Sequence, residues 1–235
     1  MLIKKVDDSI SSHGIKAIIY GASGAGKTSQ VKTLVQAGFK PIIISAESGL
    51  LSLHGTDVDL IDISRNDKDE VIEPSKRFER LGEAYKFLAE GKHNYDTIIL
   101  DSLTEINQCL MDYLRVKYPD SKDTLKMYGD NAVMMSKVIK GFRDLKYNVV
   151  LIALDSIEKD ETGKRFITVD LIGKVAANVP PLFDEVFYLF IDEEGGRKIL
   201  TTKTEKTVAK DRSGKLAQIE EANLGKLFKK IKEVK

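Results

Sequence analysis

The sequence predicts an α/β fold: a doubly wound, mostly parallel sheet covered by helices on both faces, with antiparallel edge strands. Three observations predict it. Residues 15–20, 41–46, 97–101 and 148–154 are short, β-branched runs that are apolar almost throughout, as expected for strands buried on both faces. Segments with apolar residues three and four apart lie between them, the spacing of amphipathic helices. The first run leads into Gly21-Ala22-Ser23-Gly24-Ala25-Gly26-Lys27-Thr28, which fits G-x-x-x-x-G-K-[ST] at every fixed position and opens a helical segment.

Each element has a local reason. Residues 1–14 are polar with isolated apolar positions and read as a leading arm. Residues 15–20 form the first strand; 26–37 form a helix that Gly38 ends in the usual C′ position. Residues 41–46 form a strand that delivers Glu47 at its carboxyl end. Residues 48–77 are irregular, with a short edge strand at 58–63 and a charged loop at 64–74. Phe78, Leu81, Tyr85 and Leu88 mark a helix over 78–91. The strand 97–101 ends in Asp101. Ser102 followed by Glu105 reads as a capping box for a helix carrying Leu103, Ile106, Leu110 and Leu114.

A polar break with Pro119 separates that helix from another over 128–145. After the strand 148–154, residues 156–165 form a charged loop or hairpin turning at Gly163, and 175–183 a short helix broken by Pro180-Pro181. Alternating residues predict antiparallel strands at 185–191 and 198–203, joined by Glu193-Glu194-Gly195-Gly196. A turn at Asp211-Arg212-Ser213-Gly214 precedes a final helix over 223–234. The chain divides into an arm (1–14), a core (15–215) and a basic C-terminal helix (216–235).

Composition narrows the class. The 235 residues are 42% hydrophobic and 31% charged, enough for a sizeable core in a soluble chain. No apolar run approaches the roughly 20 residues of a membrane span, and Met1-Leu2-Ile3-Lys4-Lys5 lacks the apolar core of a signal peptide. The single cysteine, Cys109, allows no intrachain disulfide. These points favour the cytoplasm and no membrane association. Net charge is +1, but residues 195–235 hold twelve Lys/Arg against five Asp/Glu, hence +7 there and −6 elsewhere. That asymmetry reads either as a nucleic-acid face or as a solvated helix face with a lysine-rich tail.

The loop carries specific chemistry. Gly21, Gly24 and Gly26 let the backbone curl so that N–H groups point at one anion. The helix that follows adds its positive end. Residues Gly21, Ala22, Ser23, Gly24, Ala25, Gly26, Lys27, Thr28 and Ser29 are therefore the expected nucleotide contacts, with Lys27 a point charge for the β- and γ-phosphates and Thr28 a ligand for Mg²⁺. A dinucleotide fingerprint, Gly24-Ala25-Gly26-Lys27-Thr28-Ser29, fails at Ser29 and leaves Lys27-Thr28 unused. Asp101, after a buried strand, fits a Walker-B acid beside the Mg²⁺; its plainer role is a helix N-cap. Glu47 is a candidate general base, or a surface carboxylate. Ser102 either touches water and phosphate or caps its helix. No guanine-reading N-K-x-D stretch occurs, which favours adenine.

These residues resemble a family. Pro41-Ile42-Ile43-Ile44-Ser45-Ala46-Glu47 resembles the RecA-family strand that ends in its catalytic glutamate. Thr97-Ile98-Ile99-Leu100-Asp101-Ser102-Leu103 resembles the RecA Walker-B strand. Lys210-Asp211-Arg212-Ser213-Gly214 resembles the K-N-R-F-G motif of RadA-type relatives, with Asn and Phe replaced. Residues 15–215 are similar to the short RecA-core ATPases coded by phages, including those classed as single-strand-annealing proteins.

The resemblance implies a RecA-like P-loop NTPase fold, with ATP and Mg²⁺ as cofactors. It implies Lys27 and Glu47 as catalytic residues, with Lys210 and Arg212 acting in trans on a neighbour's nucleotide. A homo-oligomeric ring or filament follows, in the host cytoplasm if the chain is phage-encoded. It also implies single-stranded DNA held by the loop 156–174, where Lys159, Lys164, Arg165, Phe166 and Lys174 supply cations and one stacking ring among Asp155, Glu158, Asp160 and Glu161. A single-strand DNA-binding protein is a possible partner. RecA-like cores place a polar sensor after the strand 148–154, and Asp155 or Ser156 stands there. The alternative is a nucleotide-switched protein-binding module in phage replication or partition with slow turnover. A small-molecule kinase would need an arginine-rich lid, and the arginines form no such cluster.

Overall fold

The structure, a computed structural model, describes residues 13–47, 49–119, 124–173 and 175–233. The arm expected at 1–14 lies largely outside them. The strands are β1 (Lys16–Tyr20), β2 (Pro41–Ser45), β3 (Asp59–Asp62), β4 (Thr97–Asp101), β5 (Asn148–Ala153), β6 (Asp155–Lys159), β7 (Arg165–Val169), β8 (Glu185–Ile191), β9 (Arg197–Leu200), β10 (Lys210–Asp211) and β11 (Ile219–Glu221). The helices are α1 (Gln30–Gln36), α2 (Pro74–Glu90), α3 (Leu103–Lys117), α4 (Thr124–Arg143), α5 (Val175–Asn178) and α6 (Leu224–Lys232).

One sheet runs β3-β2-β4-β5-β1-β8-β9-β11, with β10 paired to the first residues of β8. From β3 to β8 all neighbours are parallel; β9, β10 and β11 add antiparallel edges. The expected α/β class, a doubly wound sheet with a parallel centre and antiparallel edge strands, is the one observed. Strands β6 and β7 form a separate hairpin at the carboxyl end of β5.

Strand periodicity divides the core in two. Ile18 and Tyr20 of β1, Ile98 and Leu100 of β4, and Val149 and Leu151 of β5 face one side. They pack on Leu81 and Leu88 of α2, Ile106 and Leu110 of α3, and Ile139 and Phe142 of α4. Ala17, Ile19, Ile99, Val150 and Ile152 face the other side with Val31 and Leu34 of α1 and Leu227 and Phe228 of α6. Every central strand is therefore apolar at consecutive positions.

Several boundaries differ from the sequence reading. Helix α1 begins at Gln30 because residues 27–29 are drawn into turns of the loop, with Gln30 N donating to Lys27 O at 3.0 Å and Val31 N to Thr28 O at 3.1 Å. Helix α2 begins at Pro74, where a fixed φ and a missing N–H suit the first turn. Residues 219–221, read as part of a C-terminal helix, instead form β11 against β9 before α6 begins.

Candidate functional site

Strands β1, β2, β4 and β5 end side by side, and their carboxyl ends frame a cleft of about 310 Å³. Tyr20 leads into the glycine-rich loop. At Gly21 a Cβ would stand 2.2 Å from the Leu189 carbonyl oxygen, so β8 approaches too closely for any side chain. Gly26 has φ +101°, a conformation L-residues rarely adopt.

Lys27 is buried, and its Nζ donates to the carbonyls of Gly21 (2.8 Å) and Ala22 (2.9 Å), folding over its own loop. Burial lowers its pKa, opposed by the negative charges of Asp155, Asp101 and Glu47. Thr28 Oγ1 donates to Asp101 Oδ2 at 2.7 Å. Asp101 is itself buried, and desolvation raises its pKa while the Thr28 hydrogen bond opposes the rise.

The N-cap of α3 is Ser102, whose Oγ accepts from Glu105 N at 3.2 Å. The capping reading of Asp101 is thereby removed, and its carboxylate turns to Thr28. Ser102 does more than cap: its Oγ–H donates to Glu47 Oε1. The capping box is half-formed, since the Glu105 carboxylate turns to Arg77 at 3.8 Å. Glu47 also accepts at its backbone carbonyl from Ser45 Oγ.

The donor set fits Mg²⁺. Thr28 and Asp101 offer two hard oxygens in contact. No group of three or more His, Cys, Asp or Glu able to hold a metal occurs among the described residues. Mg²⁺ needs no such group, because it takes one or two side chains and completes its shell with waters and phosphate oxygens.

At the end of β5, burial first and the Asp155 carboxylate second raise the Tyr188 pKa, and Ser156 Oγ is buried without a hydrogen-bond partner among the described residues. Thr104, two residues past Ser102, holds the foot of the hairpin: Oγ1 donates to Asp170 O and accepts from Leu154 N, each at 3.0 Å.

The other expected site residues lie away from the cleft. Lys159 and Phe166 line a groove of about 820 Å³ together with Lys203, Lys210 and Arg212. Arg165 is paired across the hairpin with Lys159, and Lys164 meets Glu205 at 2.9 Å. Lys174 lies outside the described residues. Lys210 Nζ donates to Pro180 O at 3.2 Å, and Arg212 Nη1 meets Asp184 Oδ1 at 2.7 Å. Both sit near the start of β8, whereas the loop follows the Tyr20–Tyr188 level, so the chain does not bring them to its own cleft.

Gly49, Ser52, Leu154 and Arg197 also line the cleft and escaped the sequence reading as site residues. Arg197, the first residue of β9, donates from Nε to Ala25 O at 3.0 Å. Its sole sequence cue is an arginine opening a strand after Gly195-Gly196.

Among solved structures, the fold is similar to a crystal structure of the RadB recombinase, with a TM-score of 0.47, 15% identity and 80% of each chain covered. No curated protein matches the chain. A family model described as an AAA domain (AAA_24) matches residues 13–213. That match spans most of the sequence, and the chain belongs to this family of AAA domains.

Proposed function

We propose that the protein is a Mg²⁺-dependent ATPase of RecA-like type that binds single-stranded DNA in recombination or strand annealing. One observation carries the hydrolytic part: the 2.7 Å contact of Thr28 Oγ1 with Asp101 Oδ2, in a cleft that Lys27 and Glu47 also border.

In this reading the loop N–H groups hold the phosphates. Lys27 leaves the Gly21 and Ala22 carbonyls to meet the terminal oxygens. Thr28 and Asp101 would hold Mg²⁺, which when bound offsets charge on the β- and γ-phosphate oxygens. Glu47 orients a water and takes its proton as the water oxygen attacks the terminal phosphorus and the bond to the leaving oxygen breaks. Ser102 keeps the Glu47 carboxylate aimed at the cleft. Lys210 and Arg212 would serve a neighbouring copy's site in an oligomer, where cations stabilise charge spreading over the transferring phosphoryl group.

The DNA part is supported by the groove that Lys159, Lys203 and Phe166 line, cations for phosphates and a ring for a base. Thr104 joins that hairpin to the helix capped by Ser102. No helix among the described residues is long and apolar enough to cross a membrane.

Titration with oligo-dT, with and without ATP and over a salt series, tests the whole. The expected result is binding that weakens steeply with salt and accelerates hydrolysis. No affinity at low salt with nucleotide present overturns the DNA reading. Hydrolysis that oligo-dT leaves unchanged, with ATP-dependent capture of a protein instead, selects the switched binding module.

A further inference from the structure

The hydrolytic groups occupy one flank of the loop, and the other flank has no assigned role. Sheet order places β4 and β2, with Asp101 and Glu47, on one side of β1, and β8 and β9 on the other. A nucleoside triphosphate is an elongated ligand with unlike ends. With its terminal phosphate toward Asp101 and Glu47, its ribose and base run toward β8 and β9.

Arg197 stands there. It lies 172 residues from Ala25 in sequence, yet its Nε hydrogen-bonds the loop carbonyl. A Cβ on Gly26 would come 2.8 Å from that Nε, so the missing side chain gives the guanidinium room to lie on the loop. Among the described residues its Nη groups make no hydrogen bond or ion pair, and the residue borders the cleft. Among the described residues no aromatic side chain lines the cleft. The guanidinium is thus the flat, polarisable group available to a base.

We propose that Arg197 clamps the base end of the nucleotide, its Nε tethered to Ala25 and its plane stacked on the base. The assignment rests on the proposed nucleotide-hydrolysing site and adds its base subsite. A guanidinium lays a weakly hydrated plane on an aromatic face, whereas an ammonium meets it only as a compact, strongly hydrated point charge, so Arg and Lys are not equivalent here.

Calorimetric titration of ADP and of tripolyphosphate into wild type, Arg197→Ala and Arg197→Lys tests it. Arg197→Ala weakens ADP about tenfold and leaves tripolyphosphate affinity within about twofold, because only ADP carries a base. Arg197→Lys leaves the loss unrepaired. Retained tripolyphosphate binding also shows that the loop has kept its shape. Undiminished ADP affinity in Arg197→Ala overturns the clamp, as does an equal loss for both ligands, which would assign Arg197 to phosphate charge or loop support. A wild type that binds neither ligand overturns the nucleotide reading beneath it.

Discussion

Ser102 holds two partners at once, and that double role organises the chemistry around it. By accepting from Glu105 N it starts α3; by donating to Glu47 it aims a carboxylate from a different strand into the cleft. An exposed acid next to a strand end is ambiguous in sequence, because nothing local distinguishes a base from a surface charge. The hydrogen bond from Ser102 gives Glu47 a direction. Glu47→Gln keeps an acceptor for Ser102 and removes the proton-accepting charge. Its expected effect is a fall in kcat of about 10²- to 10⁴-fold with nucleotide affinity retained, read by steady-state kinetics beside a binding titration. Loss of affinity in step with kcat would make Glu47 a binding residue instead.

At the scale of elements, α1 and α6 show how a distant segment joins the phosphate-loop layer. Asn223 caps α6 by accepting from Lys226 N at 2.9 Å. The remaining free N–H groups of its first turn reach α1: Leu224 N donates to Gln30 Oε1 at 3.2 Å and Gly225 N to Thr33 Oγ1 at 3.0 Å. The approach is so close that a Cβ on Gly225 would lie 2.0 Å from the Thr33 carbonyl oxygen. The obstacle is backbone, which cannot swing aside like a side chain. Gly225→Ala therefore separates the two helices and costs about 2 kcal/mol or more, despite alanine's better helix propensity. Chemical denaturation measures it; an unchanged midpoint would show that α6 shifts freely on α1.

For the molecule as a whole, the start of β8 holds a buried acid beside the two residues proposed to act on a neighbouring copy. Glu185 is buried, and one of its oxygens has no hydrogen-bond partner among the described residues. Burial first, and Asp211 beside it second, raise its pKa from 4.5 to about 8. Folding thus favours the protonated form. Its contribution is fully present below pH 4.5 and is lost as pH rises through about 8, at most about 1.4 kcal/mol per pH unit. Glu185→Gln is expected to flatten that fall, seen as urea midpoints at pH 5 and pH 8.5 that differ less than in wild type. Lys210 and Arg212 border the same region, held by Pro180 and Asp184 of their own chain. If they serve a neighbour, Lys210→Ala and Arg212→Ala lower specific ATPase activity chiefly at concentrations where copies assemble. A wild-type rate per chain that is independent of concentration, matched by both variants, removes the trans role.

The glycine-rich loop, the four buried parallel strands and most helices were legible in the sequence because their causes are local: β-branched apolar runs, helical spacing, turn glycines and a motif with fixed positions. Edge strands of two and three residues, β10 and β11, were not, because such short exposed pieces have no periodicity to read. Strand order lay equally beyond a local reading. A run buried on both faces announces a central strand without naming its neighbours; long-range packing of the helices on each face chooses them. That choice sets Thr28 against Asp101 across 73 residues, turns Ser102 toward Glu47, and lays Arg197 on the loop. The sequence by itself determined the glycine-rich loop, the strand that leads into it and the helix that follows. Only the tertiary structure decided which side chains surround that loop, because contacts between distant strand ends arise from sheet order, which no single segment encodes.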